Sequence, residues 1–197
     1  MDAKGKMEKS AGKALVIMLA LSFFMTQLAF PYVSPTHDIA ITNVSPSKTI
    51  VCLGYNLTIH VALKNNGNYT DTFTVWTFCG LHQNVTLPVL SSTTINYTFS
   101  TSKLKKGNYK VWAYALMPDD ARPNDNIRVG TTFLVTIVGD INADGIVDIE
   151  DIYSIALAYG SMSGQPGYKP NLDINGDSII DIEDIYTAAL HYGETGP

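Results

Sequence analysis

The chain has 197 residues, 46% hydrophobic and 16% charged, with a formal net charge of −5, two cysteines and nine prolines. That apolar share excludes wholesale disorder, and two cysteines are too few for a disulfide-stapled mini-protein. A mildly acidic total excludes a general nucleic-acid binder, which is basic. The charge is unevenly spread, however. Gly139 to Pro197 holds eleven acids against the single base Lys169, or −10, whereas residues 1–138 hold seven acids and twelve bases, or +5.

In chain order, Lys4, Lys6, Lys9 and Lys13 precede an uncharged apolar run from Ala14 to Phe30. A basic head before an apolar core without a polar face reads as an export segment. The run of 17 residues is at the short edge of what spans a bilayer, and no clean small-x-small cleavage site precedes Pro31. Residues 1–35 are therefore expected to be a signal peptide or an N-terminal membrane anchor. Either places the rest of the chain outside the cell, secreted or anchored at the outer surface. Five asparagines between Thr36 and Ser100 begin Asn-x-Ser/Thr triplets: Asn43, Asn56, Asn68, Asn84 and Asn96. They are glycosylation candidates in an exported protein.

Residues 36–138 alternate with the period of half-buried strands. Leu57, Ile59, Val61 and Leu63 interleave with Thr58, His60, Ala62 and Lys64; Asn65-Asn66-Gly67-Asn68 turns the chain, and Phe73, Val75 and Thr77 resume the pattern. Further runs are Thr93 to Phe99, Asn108 to Leu116 and Arg128 to Ile137, with Lys106-Gly107-Asn108 expected as a hairpin turn. About seven such strands imply an all-β immunoglobulin-like sandwich. Cys52 opens one expected strand and Cys79 closes the next, which makes them a disulfide candidate in an exported protein.

The opening HDIAITNVSPS, the strand NLTIHVALKNNGN, the segment KKGNYKVWAYAL and the closing PDDARPNDNIRVGTTF resemble the CARDB family of extracellular sandwich modules. The resemblance covers about 100 residues and rests on pattern. It implies a spacer or presentation module and carries no catalytic set.

Residues 140–160, DINADGIVDIEDIYSIALAYG, repeat as residues 173–193, DINGDSIIDIEDIYTAALHYG, at a period of 33 with 15 of 21 positions identical. Each copy opens on a twelve-residue loop with oxygen donors at positions 1, 3, 5, 9 and 12. These are Asp140, Asn142, Asp144, Asp148 and Asp151, then Asp173, Asn175, Asp177, Asp181 and Asp184. Ile146 and Ile179 at position 7 offer backbone carbonyls. This spacing wraps a short loop around a hard cation, so two Ca²⁺ are expected. Position 12 is Asp where an EF-hand has Glu, a shorter ligand. Position 6 is Gly145 in the first loop but Ser178 in the second, which points to a weaker second site if that position needs φ > 0.

Each loop is followed by one helix, and the first loop follows directly on an expected strand. Two half-hands of this kind with Asp at position 12 resemble dockerin modules, as does the linker Gly167–Asp173. The resemblance covers residues 139 to about 193. It implies a small all-α domain, residues 139–197, that binds two Ca²⁺ and docks onto a cohesin-type module. Family members often carry Ser-Thr at positions 10 and 11, where this chain has Ile149-Glu150 and Ile182-Glu183. Cohesins that read Ser-Thr are therefore poor partners. Ile152, Ile155, Ala156 and Tyr159 form one helical stripe, expected in the core. Ile149, Tyr153 and Leu157 form a second, repeated as Ile182, Tyr186 and Leu190. The second stripes either widen the core between the two helices or, with Glu150 and Glu183, form the partner face.

The resulting expectation is a non-catalytic adaptor that binds calcium and docks onto a partner. The alternative is an accessory or catalytic component of extracellular polysaccharide degradation. Outside the loops and the export segment the acids are Asp38, Asp71, Asp119, Asp120, Asp125 and Glu194, and none is assigned to a catalytic pair. His37, His60, His82 and His191 form no metal or nucleophile motif. Trp76, Trp112 and Tyr114 are aromatic positions that would stack on sugar if they face outward, although core packing is the plainer expectation for strand aromatics.

Overall fold

Alternation of apolar and polar side chains in the middle of the chain produces two β-sheets packed face to face. A computed structural model describes residues 34–196; the expected export segment lies outside the described residues. No helix among the described residues is long and apolar enough to cross a membrane. Residues 36–197 form one compact unit.

One sheet has three strands, in the order β1 (Ile39–Pro46), β3 (Asn56–Asn65) and β6 (Ser92–Ser100). The other has five: β2 (Ile50–Cys52), β8 (Ile127–Thr136), β7 (Gly107–Leu116), β4 (Asp71–Thr77) and β5 (His82–Leu87). All neighbours run antiparallel except β2 and β8, which are parallel. Leu57, Ile59, Val61 and Leu63 of β3 are completely buried, and they meet Phe73, Val75, Val111, Ala113 and Phe133 from the second sheet. The Tyr97 hydroxyl crosses this core to donate to the Val75 carbonyl at 2.8 Å. Burial pushes its phenol up to about 12.

The β-sandwich expectation holds, with corrections in detail. Lys106-Gly107-Asn108 is not a hairpin turn: β6 and β7 belong to different sheets, so the segment carries the chain across the sandwich. Cys52 closes β2 rather than opening a strand, and Cys79 lies just beyond β4. The two thiols are free. With β8 and β7 between β2 and β4, they stand three strand spacings apart, roughly 14 Å, well beyond the reach of a disulfide.

The expected all-α tail is overturned. Among the described residues the chain is mostly β, and α-helix is confined to α1 (Ile149–Leu157) and α2 (Ile182–Leu190), nine residues each. Helices this short draw stability from packing. That packing includes the sandwich: Cys52 and Tyr55 share one apolar cluster with Val138, Ile141, Ile155, Leu172, Ile174 and Ile180. Turns, a short 3-10 segment at Pro170–Leu172 and two isolated β-bridges, Ile146 with Thr195 and Met162 with Ile179, make up the rest of the tail. The buried face of α1 is also narrower than expected. Asp151 and Ile155 are buried and Ile152 half-buried, while Ala156 and Tyr159 face solvent.

Candidate metal centre

Each acidic loop is a cage of backbone N–H groups closed on its own carboxylates. In the first, Asp140 Oδ1 accepts from Ala143 N at 2.7 Å and Oδ2 from Gly145 N at 3.2 Å. Asn142 Oδ1 accepts from Asp144 N at 2.9 Å, and Asp144 Oδ1 from Ile146 N at 2.9 Å. The second loop repeats the pattern. Asp173 Oδ1 accepts from Gly176 N at 2.7 Å and Oδ2 from Ser178 N at 3.0 Å. Asn175 Oδ1 accepts from Asp177 N at 3.0 Å, and Asp177 Oδ1 from Ile179 N at 2.8 Å.

The last two donor positions also start the helix. Asp148 is the N-cap of α1 and accepts from Glu150 N at 2.8 Å, while Asp151 Oδ2 reaches back to Asp148 N at 3.0 Å, a reciprocal capping box. Asp151 Oδ1 accepts from Ile141 N at 3.0 Å and so ties helix start to loop start. Asp181 and Asp184 do the same for α2, with Asp184 Oδ1 accepting from Ile174 N at 2.7 Å. Position 12 therefore closes the loop, and Asp is long enough for that task.

The donor set suits a hard cation. A carboxylate oxygen has two lone pairs, so Asp140, Asp144 and Asp151 keep acceptor capacity after these bonds. Asp140, Asp151, Asp173 and Asp184 are buried. Burial, with help from Asp151 and Asp144, holds the Asp140 carboxyl above its ordinary range; burial and Asp173 do the same for Asp184. Buried acids packed side by side are a high-energy arrangement that a divalent cation relieves.

Backbone geometry gives the two loops the same number of left-handed positions. Position 6 is left-handed in both, with φ +89° at Gly145 and +77° at Ser178. Position 4 is left-handed as well, with φ +66° at Ala143 and +80° at Gly176. Each loop thus has glycine at one such position and a side chain at the other. The strain at Ser178 is matched by that at Ala143.

Anchoring to the sandwich involves residues that sequence reasoning missed. Lys48, buried between β1 and β2, donates its ammonium to the Asp173 carbonyl and, at 3.5 Å, to the Ile174 carbonyl. Burial lowers its pKa, while Asp173, Cys52, Asp184 and Asp177 oppose that shift. Asn171 Oδ1 accepts from Thr49 N at 3.0 Å and Ile50 N at 3.2 Å. The Tyr168 hydroxyl donates to Asp173 Oδ2 at 2.6 Å. Tyr168 and Asn171 lie in the Gly167–Asp173 linker, whereas nothing near Lys48 in sequence marks it.

The second stripes are solvent-facing. Ile149, Tyr153 and Leu157 are exposed on α1, as are Ile182, Tyr186 and Leu190 on α2, with Leu157 at 70% and Leu190 at 63%. Glu150 and Glu183 are exposed beside them, and Glu183 Oε2 accepts from Asn175 Nδ2 at 3.1 Å. The five triplet asparagines, Asn43, Asn56, Asn68, Asn84 and Asn96, are exposed on the sandwich. Trp76, Trp112 and Tyr114 sit on the outer face of the five-stranded sheet, contrary to the core packing expected of them. Trp76 and Tyr114 are register partners, and His82 stacks on Trp76 with ring centroids 4.0 Å apart.

No protein-family model matches the sequence, and no curated relative does. Among solved structures, the chain is similar to the crystal structure of the CARDB domain of the PF1109 protein from Pyrococcus furiosus, in complex with di-metal ions. The identity is 15%, over 52% of this chain and 94% of that one, with a TM-score of 0.41. A solution NMR structure of the same domain matches at 17% identity over 51% of this chain and 93% of that one, with a TM-score of 0.36. The β-glucosidase EmGH1 from Erythrobacter marinus matches at 13% identity with a TM-score of 0.38, over 51% of this chain but 16% of that one.

Proposed function

We propose that this chain is an exported, non-catalytic adaptor in which a CARDB-like sandwich presents two dockerin-like loop–helix repeats. Each loop binds one Ca²⁺ through Asp140, Asn142, Asp144, Ile146, Asp148 and Asp151, or through Asp173, Asn175, Asp177, Ile179, Asp181 and Asp184. When bound, the two ions cancel four of the tail's ten excess negative charges. The apolar stripes on α1 and α2 then dock onto a cohesin-type module at the cell surface or in the medium.

The observation that carries this reading is the duplication itself. Two loops 33 residues apart bring the same oxygen donors to the same hydrogen-bonded positions, each closed on the cap of a helix with an exposed apolar stripe. A solvated acidic face has no reason to bury its position-1 and position-12 carboxylates twice. The test is capture of a cohesin-type module by the full chain with Ca²⁺ and with EGTA. Tyr153→Ser and Leu157→Ser combined with Tyr186→Ser and Leu190→Ser should abolish calcium-dependent capture while calcium binding and circular dichroism stay unchanged. Undiminished capture by that variant overturns the docking face.

A second reading has an observation of its own. The row His82, Trp76, Tyr114 and Ile127 runs across four neighbouring strands on the outer face of the sandwich, and its exposed aromatic rings are of the kind that stack on an extracellular polysaccharide. Glycan-array binding lost in Trp76→Ala and Tyr114→Ala would favour it.

A further inference from the structure

We propose that the sandwich carries a cation site of its own, formed by Asp38, Asp120 and Asp125 and taking a hard divalent ion. Asp38 immediately precedes β1, while Asp120 and Asp125 lie in the connection from β7 to β8. One carboxylate oxygen from each lies within 4.8 Å of the others, a separation that oxygens sharing one ion adopt.

The cluster has acceptors without donors. Asp38 is 2% exposed, and its Oδ1 has no hydrogen-bond partner. Oδ1 of Asp125 is likewise unpartnered, as is Oδ1 of the adjacent Asn126, also 2% exposed. Buried oxygens of native proteins are normally paired, so unpaired ones on two members of the cluster call for a ligand. That ligand must be positive. Arg122 supplies one charge, its guanidinium donating to Asp38 Oδ2 at 3.0 Å from a side chain two-thirds exposed. Three carboxylates and one guanidinium leave −2, the complement of a divalent ion.

The site is also pre-organised. Asp120 Oδ2 accepts from Ile39 N and Oδ1 from Arg122 N, both at 2.8 Å. Ala121 N donates to the His37 carbonyl at 2.8 Å, and Ile41 N to the Asp125 carbonyl at 2.9 Å. These bonds fix the connection against β1 without consuming Asp38 Oδ1 or Asp125 Oδ1. Three carboxylates are fewer ligands than such an ion takes, so waters complete its shell. The assignment is independent of the tail loops, which lie elsewhere in sequence and carry their own donors.

Equilibrium dialysis of the full chain against Ca²⁺, and separately against Mn²⁺, tests it. Three equivalents are expected for the wild type with at least one ion, and two for Asp125→Asn. One is expected for Asp144→Asn combined with Asp177→Asn, so failure of the loop reading and failure of this one give different counts. Wild type and Asp125→Asn binding the same number of both ions overturns the site. Should Asp125→Asn not fold, Mn²⁺ broadening of wild-type amide resonances decides. Loss of the Asp120–Asn126 signals supports the site, and their survival at saturating Mn²⁺ overturns it.

Discussion

The two loops share sequence, hydrogen bonds and helix caps, yet different chemistry holds each to the sandwich. The first continues directly from β8, and its position-1 carbonyl, that of Asp140, accepts from Thr136 Oγ1 at 3.0 Å. Gly139 N, one residue earlier, donates to Cys52 Sγ at 3.4 Å. The second returns from the far end of the tail, and its position-1 carbonyl, that of Asp173, accepts from the Lys48 ammonium. Asn171 then clips the loop to the backbone of Thr49 and Ile50. A 21-residue duplication copies whatever those residues determine among themselves. Attachment to a neighbour is found separately by each copy, here once through a neutral hydroxyl and once through a buried cation.

Metal removal is the largest perturbation of this comparison. At 100-fold excess over its Kd, one bound ion adds about 2.7 kcal/mol to folding stability, so the two loop ions together contribute about 5 kcal/mol. Chemical denaturation in Ca²⁺ and in EGTA measures the gain, and Asp144→Asn or Asp177→Asn should each remove about half of the loops' share. A smaller loss for Asp177→Asn would show that Lys48, lying within electrostatic range of Asp173, Asp177 and Asp184, partly fills the role of the ion in the second loop.

Lys48→Met breaks the anchoring difference itself. It strips the Asp173 and Ile174 carbonyls of a buried donor, at a cost of about 2–3 kcal/mol in EGTA, because that bond is to a charged group. Thr136→Val, its counterpart at the first loop, removes a neutral bond and should cost about 1 kcal/mol. Cys52 provides a local readout. Its thiol lies in the cluster shared by sandwich and tail, and burial holds its pKa above the ordinary value, so it resists a thiol reagent that labels the exposed Cys79. Lys48→Met should speed Cys52 labelling in EGTA and leave Cys79 labelling unchanged.

The parts legible in the sequence were those whose determinants are close together. The alternation from Leu57 to Leu63 defined β3 because four inward residues suffice to show a period of two. Strand β2 has three residues and exists through its parallel pairing with Leu134 to Thr136, so no local pattern announces it. Edge strand β5 buries only Val85 and Leu87, too few to reveal alternation. At Lys106-Gly107 the turn chemistry was readable, but not which sheet receives the next strand. The cysteine pairing failed for the same reason, since spacing carries no information on strand order. The loop donors all fall within twelve residues and were readable, whereas Lys48 stands 125 residues from the carbonyl it holds. The all-α tail was misjudged because an apolar helix face does not say whether helix or sheet will cover it, and here Cys52 and Tyr55 of the sandwich take part.

The smallest expected effect tests whether the loops are strained alike. Ala143 at position 4 of the first loop and Ser178 at position 6 of the second both hold a left-handed backbone, where a β-carbon costs about 1 kcal/mol relative to glycine. Ala143→Gly and Ser178→Gly should each raise metal-free stability, by less than that figure because glycine also gains freedom in the unfolded chain. Strain relieved in the metal-free fold is not gained a second time on binding, so each change should leave the Ca²⁺ affinity expected of its loop unaltered. Equal gains in the two variants would place the remaining difference between the loops in their anchors. A gain confined to Ser178→Gly would restore the inequality that the sequence of position 6 suggests.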